Sequence, residues 1–300
     1  MKKLVSGLVL FGCVLASACA NQVIAEFDPL AIEAETTKRL FVDGNYGQVH
    51  VRVATPPTKT ERAPLFLLHP SPYSSAFFLD FMEEMSNDRW VIAIDTPGFG
   101  DSDRPDQPPS IADYADNAAR VLDELGVSEP VDVLGYHTGT LIAAELAIRQ
   151  PDRVRRLVLP GVPYFTGEAQ REAFETYAKP DTLDASGDHH DSKWAFASGG
   201  LSHGMSLERA QEHFADLVQA MPESGHAYYG VFSYRGETQF PKLSKPSLFI
   251  APEGSLFNET QAAQTITPNS ELVILSEYPN SVFDIGIPFI AQITRDFLDE

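Results

Sequence analysis

The chain has 300 residues, of which 43% are hydrophobic, and its formal net charge is −20. This length and apolar content are sufficient for one large folded domain, so a disordered chain is excluded. The strongly acidic balance argues against nucleic acids and anionic membranes as partners, because a negative surface is repelled by both.

The first 20 residues have the three parts of a secretion signal. Two lysines at positions 2 and 3 form a positive start, and residues 4–15 are apolar. Ala18, Cys19 and Ala20 then fit the A-x-A pattern that precedes a cleavage site. The apolar run is too short for a transmembrane helix. We therefore expect a signal peptide over 1–20 and a periplasmic or secreted protein.

A lipoprotein anchored at Cys19 is the alternative, because residues 15–19 (LASAC) also resemble a bacterial lipid-attachment site. Both cysteines of the chain, Cys13 and Cys19, lie in this leader. The domain that follows, over 21–300, then contains no disulfide and no zinc–thiolate site.

Short apolar runs alternate with helical patterns through the first half of the chain. Strands are predicted over 47–54, 63–70, 90–95, 131–135 and 154–163, and helices over about 75–85, 110–126 and 138–150. This alternation indicates an α/β fold with a doubly wound, mostly parallel sheet.

The alternation breaks from about residue 164 to residue 240, where the chain is polar and rich in histidine and aromatic residues. Two further strands, at 245–255 and 270–277, and a final helix at 287–298 follow. Since the middle segment lies between two strand signals, we expect it to form an inserted helical cap over one end of the sheet.

Three loop motifs occur in order and at a characteristic spacing: LLHPSPYSS (67–75), DTPGFGDSDRP (95–105) and LGYHTGT (134–140). Together they resemble the α/β-hydrolase superfamily, particularly its esterase- and haloalkane-dehalogenase-like members. The first looks like the oxyanion loop, the second like the loop after the fourth strand, and the third like the nucleophile elbow. The resemblance implies the α/β-hydrolase fold.

All three triad positions depart from the family pattern. The nucleophile position between two glycines holds His137 in place of serine. The acid position falls near Ser255, with Glu253 as the carboxylate of that loop, and the histidine position falls near Asn280. A carboxamide cannot act as a general base, so a serine-esterase mechanism through this elbow is excluded.

The resemblance implies that the electrophile-stabilising half of the site persists. Backbone N–H groups of Thr138 and Ser71 are expected to form the oxyanion hole, whereas Pro70 has no N–H to donate. A neutral His137 could serve as general base or as nucleophile. The alternative is a histidine that lines the pocket and contacts a ligand without chemistry.

Several residues are candidates for substrate contact. These are Tyr136, Pro70, Trp194, His189 and Tyr228. For the aromatic residues, packing between cap and core is the alternative. The run from Asp188 to Asp191, with His203, matches no metal-ligand spacing, and no dinucleotide motif is present, so we expect no metal and no cofactor.

Three functions are compatible with these observations. The first is a hydrolase-like enzyme that acts on a small carbonyl-containing substrate through His137. The second is a catalytically inactive pseudo-hydrolase that binds a small ligand, and the third is a structural module with a closed pocket. The first two require a small-molecule partner, and the sequence leaves the oligomeric state open.

Overall fold

The computed structural model describes residues 37–276, 278 and 282–300. The strands are β1 (Lys38–Gly44), β2 (Gly47–Ala54), β3 (Leu65–Leu68), β4 (Val91–Ile94), β5 (Val131–Gly135), β6 (Val154–Pro160), β7 (Ser247–Pro252) and β8 (Ser270–Leu275). The predicted signal peptide, the lipid-attachment alternative at Cys19 and the substituted histidine position at Asn280 lie outside the described residues.

The eight strands form one sheet in the order β1-β2-β4-β3-β5-β6-β7-β8. β2 pairs antiparallel with β1 and β4, and every other neighbouring pair is parallel. The predicted doubly wound, mostly parallel sheet is confirmed. Because parallel strands all end at the same edge, the loops after β3, β4, β5 and β6 meet there.

Helices lie on both faces of the sheet and in the segment before β7. They are α1 (Leu79–Met85), α2 (Ile111–Glu124), α3 (Thr138–Arg149), α4 (Gly167–Tyr177), α5 (His189–Ala197), α6 (Leu207–Gln219), α7 (Gly225–Ser233), α8 (Gly236–Gln239), α9 (Phe257–Thr265), α10 (Val282–Ile285) and α11 (Ile287–Leu298). Apolar side chains of α2 and α3 belong to one core layer, and those of α1 and α11 belong to the layer on the opposite face. None of the helices within the described ranges has both the length and the apolarity to cross a bilayer.

Local sequence signals explain several element boundaries. Ser110 accepts a hydrogen bond from the N–H of Asp113 and forms a capping box that starts α2. Gly126 follows the same helix with φ +68°, a conformation that glycine adopts without strain. The strand β1 was not predicted, because its residues alternate between half-buried and exposed positions and resemble a polar connector.

The helices α4 to α8 occupy the interval between β6 and β7, and we call this interval the α4–α8 segment. It contacts the loops at the carboxyl edge of the sheet. The hydroxyl of Tyr228 donates to the carbonyl of Ser71 at 3.2 Å, and Arg209 donates to the carbonyl of Phe77 at 2.5 Å. That this segment acts as a cap over a substrate site stays a prediction.

Candidate active site

His137 occupies a sharp turn between β5 and α3. Its backbone has φ 46° and ψ −114°, a conformation that is strained for a residue with a side chain. The N–H of Tyr136 donates to Leu68 at the end of β3, and the N–H of His137 donates to Pro160 at the end of β6. The two neighbouring strands therefore hold the turn in place.

The two glycines of the elbow are required for close backbone approach. A Cβ on Gly135 would lie 2.0 Å from the carbonyl oxygen of Gly139, and a Cβ on Gly139 would lie 1.9 Å from the carbonyl oxygen of Leu68. The first turn of α3 thus packs directly against the end of β3. This packing puts His137 beside the loop that continues into Ser71.

The imidazole of His137 lies in an apolar environment. Its ring centroid is 4.1 Å from that of Tyr136. Gly161 has no side chain, and the ring occupies the space that a Cβ at residue 161 would need. Burial lowers the pKa of His137 to about 4, because the charged imidazolium loses its hydration. The ring is therefore neutral at pH 7 and has one unprotonated nitrogen.

Two backbone N–H groups adjoin this turn. That of Thr138 lies in the first turn of α3, where an α-helix provides no acceptor, and the helix dipole there favours negative charge. Ser71 is buried three residues after Leu68, on the loop against which α3 packs. The predicted oxyanion-hole residues therefore belong to adjoining loops, and their role stays a prediction.

His69 shapes the oxyanion loop. Its Nε2 accepts a hydrogen bond from the N–H of Thr96 at 2.9 Å, so its Nδ1 carries the proton and donates to the carbonyl of Pro70 at 3.0 Å. Burial lowers the pKa of His69, which favours this neutral form. The ring thereby connects the loops after β3 and β4.

Three tyrosines lie in this region, of which Tyr136 is buried and Tyr73 and Tyr228 are partly buried. Burial raises the pKa values of Tyr73, Tyr136 and Tyr228, and nearby acidic groups add to the effect. For Tyr73 these groups include Tyr228, Tyr136 and Asp284. The three hydroxyls therefore stay protonated at neutral pH, and that of Tyr228 donates its proton to the carbonyl of Ser71.

A second imidazole, which the sequence did not indicate, lies against the same group of rings. His213 on α6 donates from Nε2 to Oδ1 of Asp284 at 2.9 Å, and Arg209 donates from Nε to the same oxygen at 3.0 Å. The ring of His213 is 4.9 Å from that of Tyr73 and 5.3 Å from that of Phe77. The helical spacing of Arg209 and His213 on one face of α6 is the sequence signal that could have identified them.

Two of the predicted substrate contacts belong to the start and middle of α5. His189 is 3.3 Å from Asp184 through Nδ1, and the ring of Trp194 packs against that of Phe214 on α6. These contacts lie within the α4–α8 segment itself. The other three candidates, Tyr136, Pro70 and Tyr228, lie beside the elbow or on the oxyanion loop, and substrate contact stays a prediction for all five.

The loop after β7 does not provide an acid for His137 in the arrangement seen here. Glu253 is exposed at the end of this strand and accepts a hydrogen bond from the hydroxyl of Ser276 at 3.0 Å. Ser255, at the expected acid position, is also exposed. That the chain departs from a serine–acid–histidine triad at these positions stays a prediction.

One group of potential metal ligands occurs among the described residues, formed by His50, Asp95 and Asp101. His50 Nδ1 lies 2.8 Å from Asp95, and the backbone N–H groups of Ser75 and Asp101 donate to the same carboxylate. These contacts already occupy both carboxylate oxygens. We therefore interpret this group as a structural hydrogen-bond cluster that joins β2 to the loops after β3 and β4, and not as a cation site.

Comparisons with known proteins agree with this architecture. Residues 63–281 match a family model described as alpha/beta hydrolase fold. A 2-hydroxymuconate semialdehyde hydrolase of Pseudomonas sp. (strain CF600) is 43% identical over 102 residues, which is 33% of this chain and 36% of that protein. A poly(3-hydroxyalkanoate) depolymerase of Ectopseudomonas oleovorans is 33% identical over 247 residues, which is 76% of this chain and 81% of that protein.

A structure of a hydrolase from Pseudomonas aeruginosa PA01 superposes with a TM-score of 0.74 at 18% identity, covering 89% of this chain and 100% of that one. At this identity the likeness shows the fold alone. The match to the semialdehyde hydrolase spans about a third of that relative's length, whereas the match to the depolymerase spans most of it.

Proposed function

Because the chain belongs to the α/β-hydrolase fold family, we propose that it is a hydrolase-like enzyme that acts on a small carbonyl-containing substrate through His137. The observation that carries this proposal is a neutral imidazole at the elbow, next to the first turn of α3. A relative named as a hydrolase and another named as a depolymerase support hydrolytic chemistry.

His137 can perform either of two reactions from this position. Its unprotonated nitrogen can take a proton from a water molecule that attacks the carbonyl carbon, or it can attack that carbon and form an acyl-imidazole. In both reactions negative charge develops on the carbonyl oxygen. The N–H groups of Thr138 and Ser71 are the donors we propose for that oxygen.

The substrate is expected to lie against the wall formed by Tyr136, Pro70 and Tyr228. The Tyr228 hydroxyl already donates to the carbonyl of Ser71, so this side chain is positioned beside the proposed oxyanion hole. Trp194 and His189 would contact a part of the substrate farther from the reacting carbonyl.

Substitution of His137 tests this proposal. We expect wild-type protein to hydrolyse at least one compound of an ester, lactone and thioester panel. H137A and H137Q should lower kcat/KM by roughly 10²–10⁴-fold, because neither side chain can take a proton or form an acyl adduct. H203Q, which changes an exposed histidine of the α4–α8 segment, is the matched control and should keep full turnover.

Intact-mass spectrometry during turnover distinguishes the two reactions of His137. A mass increase equal to the acyl group, present in wild type and lost in H137Q, identifies the nucleophile. Turnover without such an adduct identifies the general base. Full turnover in folded H137A would contradict the proposal.

A non-catalytic binding protein is the second candidate, and one observation favours it. A pKa of about 4 makes the His137 imidazole a weak base, and within residues 37–276, 278 and 282–300 no carboxylate forms a hydrogen bond with the ring. This candidate is supported if the wild-type protein turns over no panel compound but calorimetry shows that it binds small ligands. In that case H137A should weaken binding.

A further inference from the structure

Resting on the proposed function, we infer that His213 is a second acid–base residue of the same site and that Asp284 is the carboxylate that orients it. The two side chains are 71 positions apart in sequence and meet where α6 packs against α10. His213 comes from the α4–α8 segment, whereas His137 belongs to the turn between β5 and α3.

The hydrogen bond to Asp284 fixes the tautomer of His213. Burial alone would raise the pKa of Asp284, but hydrogen bonds and charge from His213 and Arg209 outweigh it and lower the pKa. The carboxylate is therefore ionised and can only accept, so Nε2 of His213 must carry the proton. In the neutral ring, Nδ1 is then the unprotonated nitrogen that can take a proton.

A series of ring contacts connects His213 to the proposed reaction site. Its ring contacts Tyr73 and Phe77, the ring of Phe77 is 5.5 Å from that of Tyr136, and Tyr136 contacts His137. These side chains form one continuous aromatic wall with an imidazole at each end. The inference requires a substrate that lies along these rings and reaches both imidazoles.

Arg209 holds the orienting carboxylate in place. It donates from Nε to Asp284 and from Nη2 to the carbonyl of Phe77, and its guanidinium lies 5.3 Å from the centroid of the Phe77 ring. Both the arginine and Asp284 are more than nine-tenths buried. The hydrogen bonds of Arg209 hold the Asp284 carboxylate in place, and the carboxylate in turn fixes the direction of the His213 ring.

The inference divides the chemistry between the two histidines. His137 bonds to the carbonyl carbon, the leaving oxygen departs with the proton that the His137 ring gives up, and an acyl-imidazole remains. Nδ1 of His213 then takes a proton from water as the water oxygen bonds to the acyl carbon. The carbon–nitrogen bond to His137 breaks, and the proton passes to the freed nitrogen, which restores both rings.

H213Q is the variant that tests this inference. Glutamine preserves a hydrogen-bonding side chain of similar length but cannot take a proton near neutral pH. We expect kcat to fall roughly 10²–10⁴-fold with KM little changed, and the acyl adduct on His137 to accumulate because its hydrolysis is slowed. H203Q again provides the control on the same segment.

A double-mutant cycle with D284N separates orientation from folding. D284N alone should lower kcat. A carboxamide can donate as well as accept a hydrogen bond, so it no longer fixes the proton of His213 on Nε2. In the H213Q background D284N should have little further effect on kcat, whereas a purely structural role would make the two losses additive. If D284N does not fold, the H213Q comparison still decides the question.

The outcomes are distinguishable from failure of the proposed function. If H137A loses turnover while folded H213Q keeps wild-type kcat, the inference about His213 is wrong and the proposed function stands. If wild type turns over no panel compound, both are overturned. Loss of kcat in H213Q with wild-type circular dichroism and thermal midpoint supports the inference.

Discussion

The ring of His137 fills a space that exists because residue 161 is glycine. Gly161 has φ +64°, and a Cβ built on it would lie 2.6 Å from Cδ2 and 2.9 Å from Nε2 of His137. The sequence identified the unusual residue at the elbow from its two flanking glycines, which are four positions apart. It did not identify Gly161, because the contact joins the loops after β5 and β6, and only the sheet order brings them together.

G161A is expected to displace the His137 ring. The added methyl group cannot fit beside Cδ2, so the imidazole must move or the strand end must shift, and turnover should fall at least tenfold. G167A is the matched control, because Gly167 also has positive φ, +61°, but has open space around its missing Cβ. Both variants bear the same kind of backbone strain, about 1–2 kcal/mol.

Steady-state kinetics and urea unfolding of the two variants separate strain from displacement. We expect similar losses of unfolding free energy from backbone strain, with an additional loss in G161A from the steric clash. The activity loss should be confined to G161A. Equal turnover in the two variants would show that the position of the His137 ring does not matter to the reaction.

At the scale of elements, α6 connects the α4–α8 segment to the loops of the sheet through polar side chains. Arg209, His213 and Asp216 follow one another along a single helix face. The first two contact Asp284, and Asp216 accepts hydrogen bonds from the N–H and hydroxyl of Ser74. Their spacing of four and three residues is visible in the sequence, but their partners are not, since both lie far away along the chain.

Asp95 has a similar connecting role at the end of β4. It accepts hydrogen bonds from the ring of His50 on β2 and from the N–H groups of Ser75 and Asp101. Burial would raise its pKa, but these hydrogen bonds outweigh burial and lower the pKa to about 2. The N–H of Asp101 thereby ties the loop after β4 to the end of that strand.

The lowered pKa of Asp95 predicts how its contribution to stability depends on pH. The stabilisation is fully present above the unfolded-state pKa of about 3.8 and is lost as pH falls toward 2, because the folded protein then has to bind a proton at this carboxylate. D95N should therefore destabilise strongly at pH 6. The difference from wild type should shrink by roughly 1–2 kcal/mol at pH 2.5.

Urea unfolding at pH 6 and pH 2.5 measures this difference. D106N, which changes an exposed aspartate a few residues away, is the control and should show little difference at either pH. A gap between D95N and wild type that is the same at both pH values would mean that Asp95 is not held as a carboxylate in the folded protein.

At the scale of the whole molecule, the sheet was predictable and the complete site was not. Apolar runs and glycine-rich loops are local signals, so the parallel strands and the elbow followed from the sequence. The pairing of His213 with Asp284 depends on how α6 packs onto the core, and no local pattern specifies that packing. The helix α9 between β7 and β8 was also not predicted, which reflects its polar composition.

Export of the whole chain is the last prediction, and we propose it from residues 1–20. Expressed in a Gram-negative host, the protein should be found in the periplasmic fraction, with an intact mass that begins at Asn21. Removal of the two lysines changes the formal net charge from −20 to −22, since the leader contains no acidic residue. C19S should leave both location and mass unchanged if a signal peptidase cleaves after Ala20. A membrane-bound product with a lipid-sized mass increase at Cys19, abolished by C19S, would instead establish the lipoprotein.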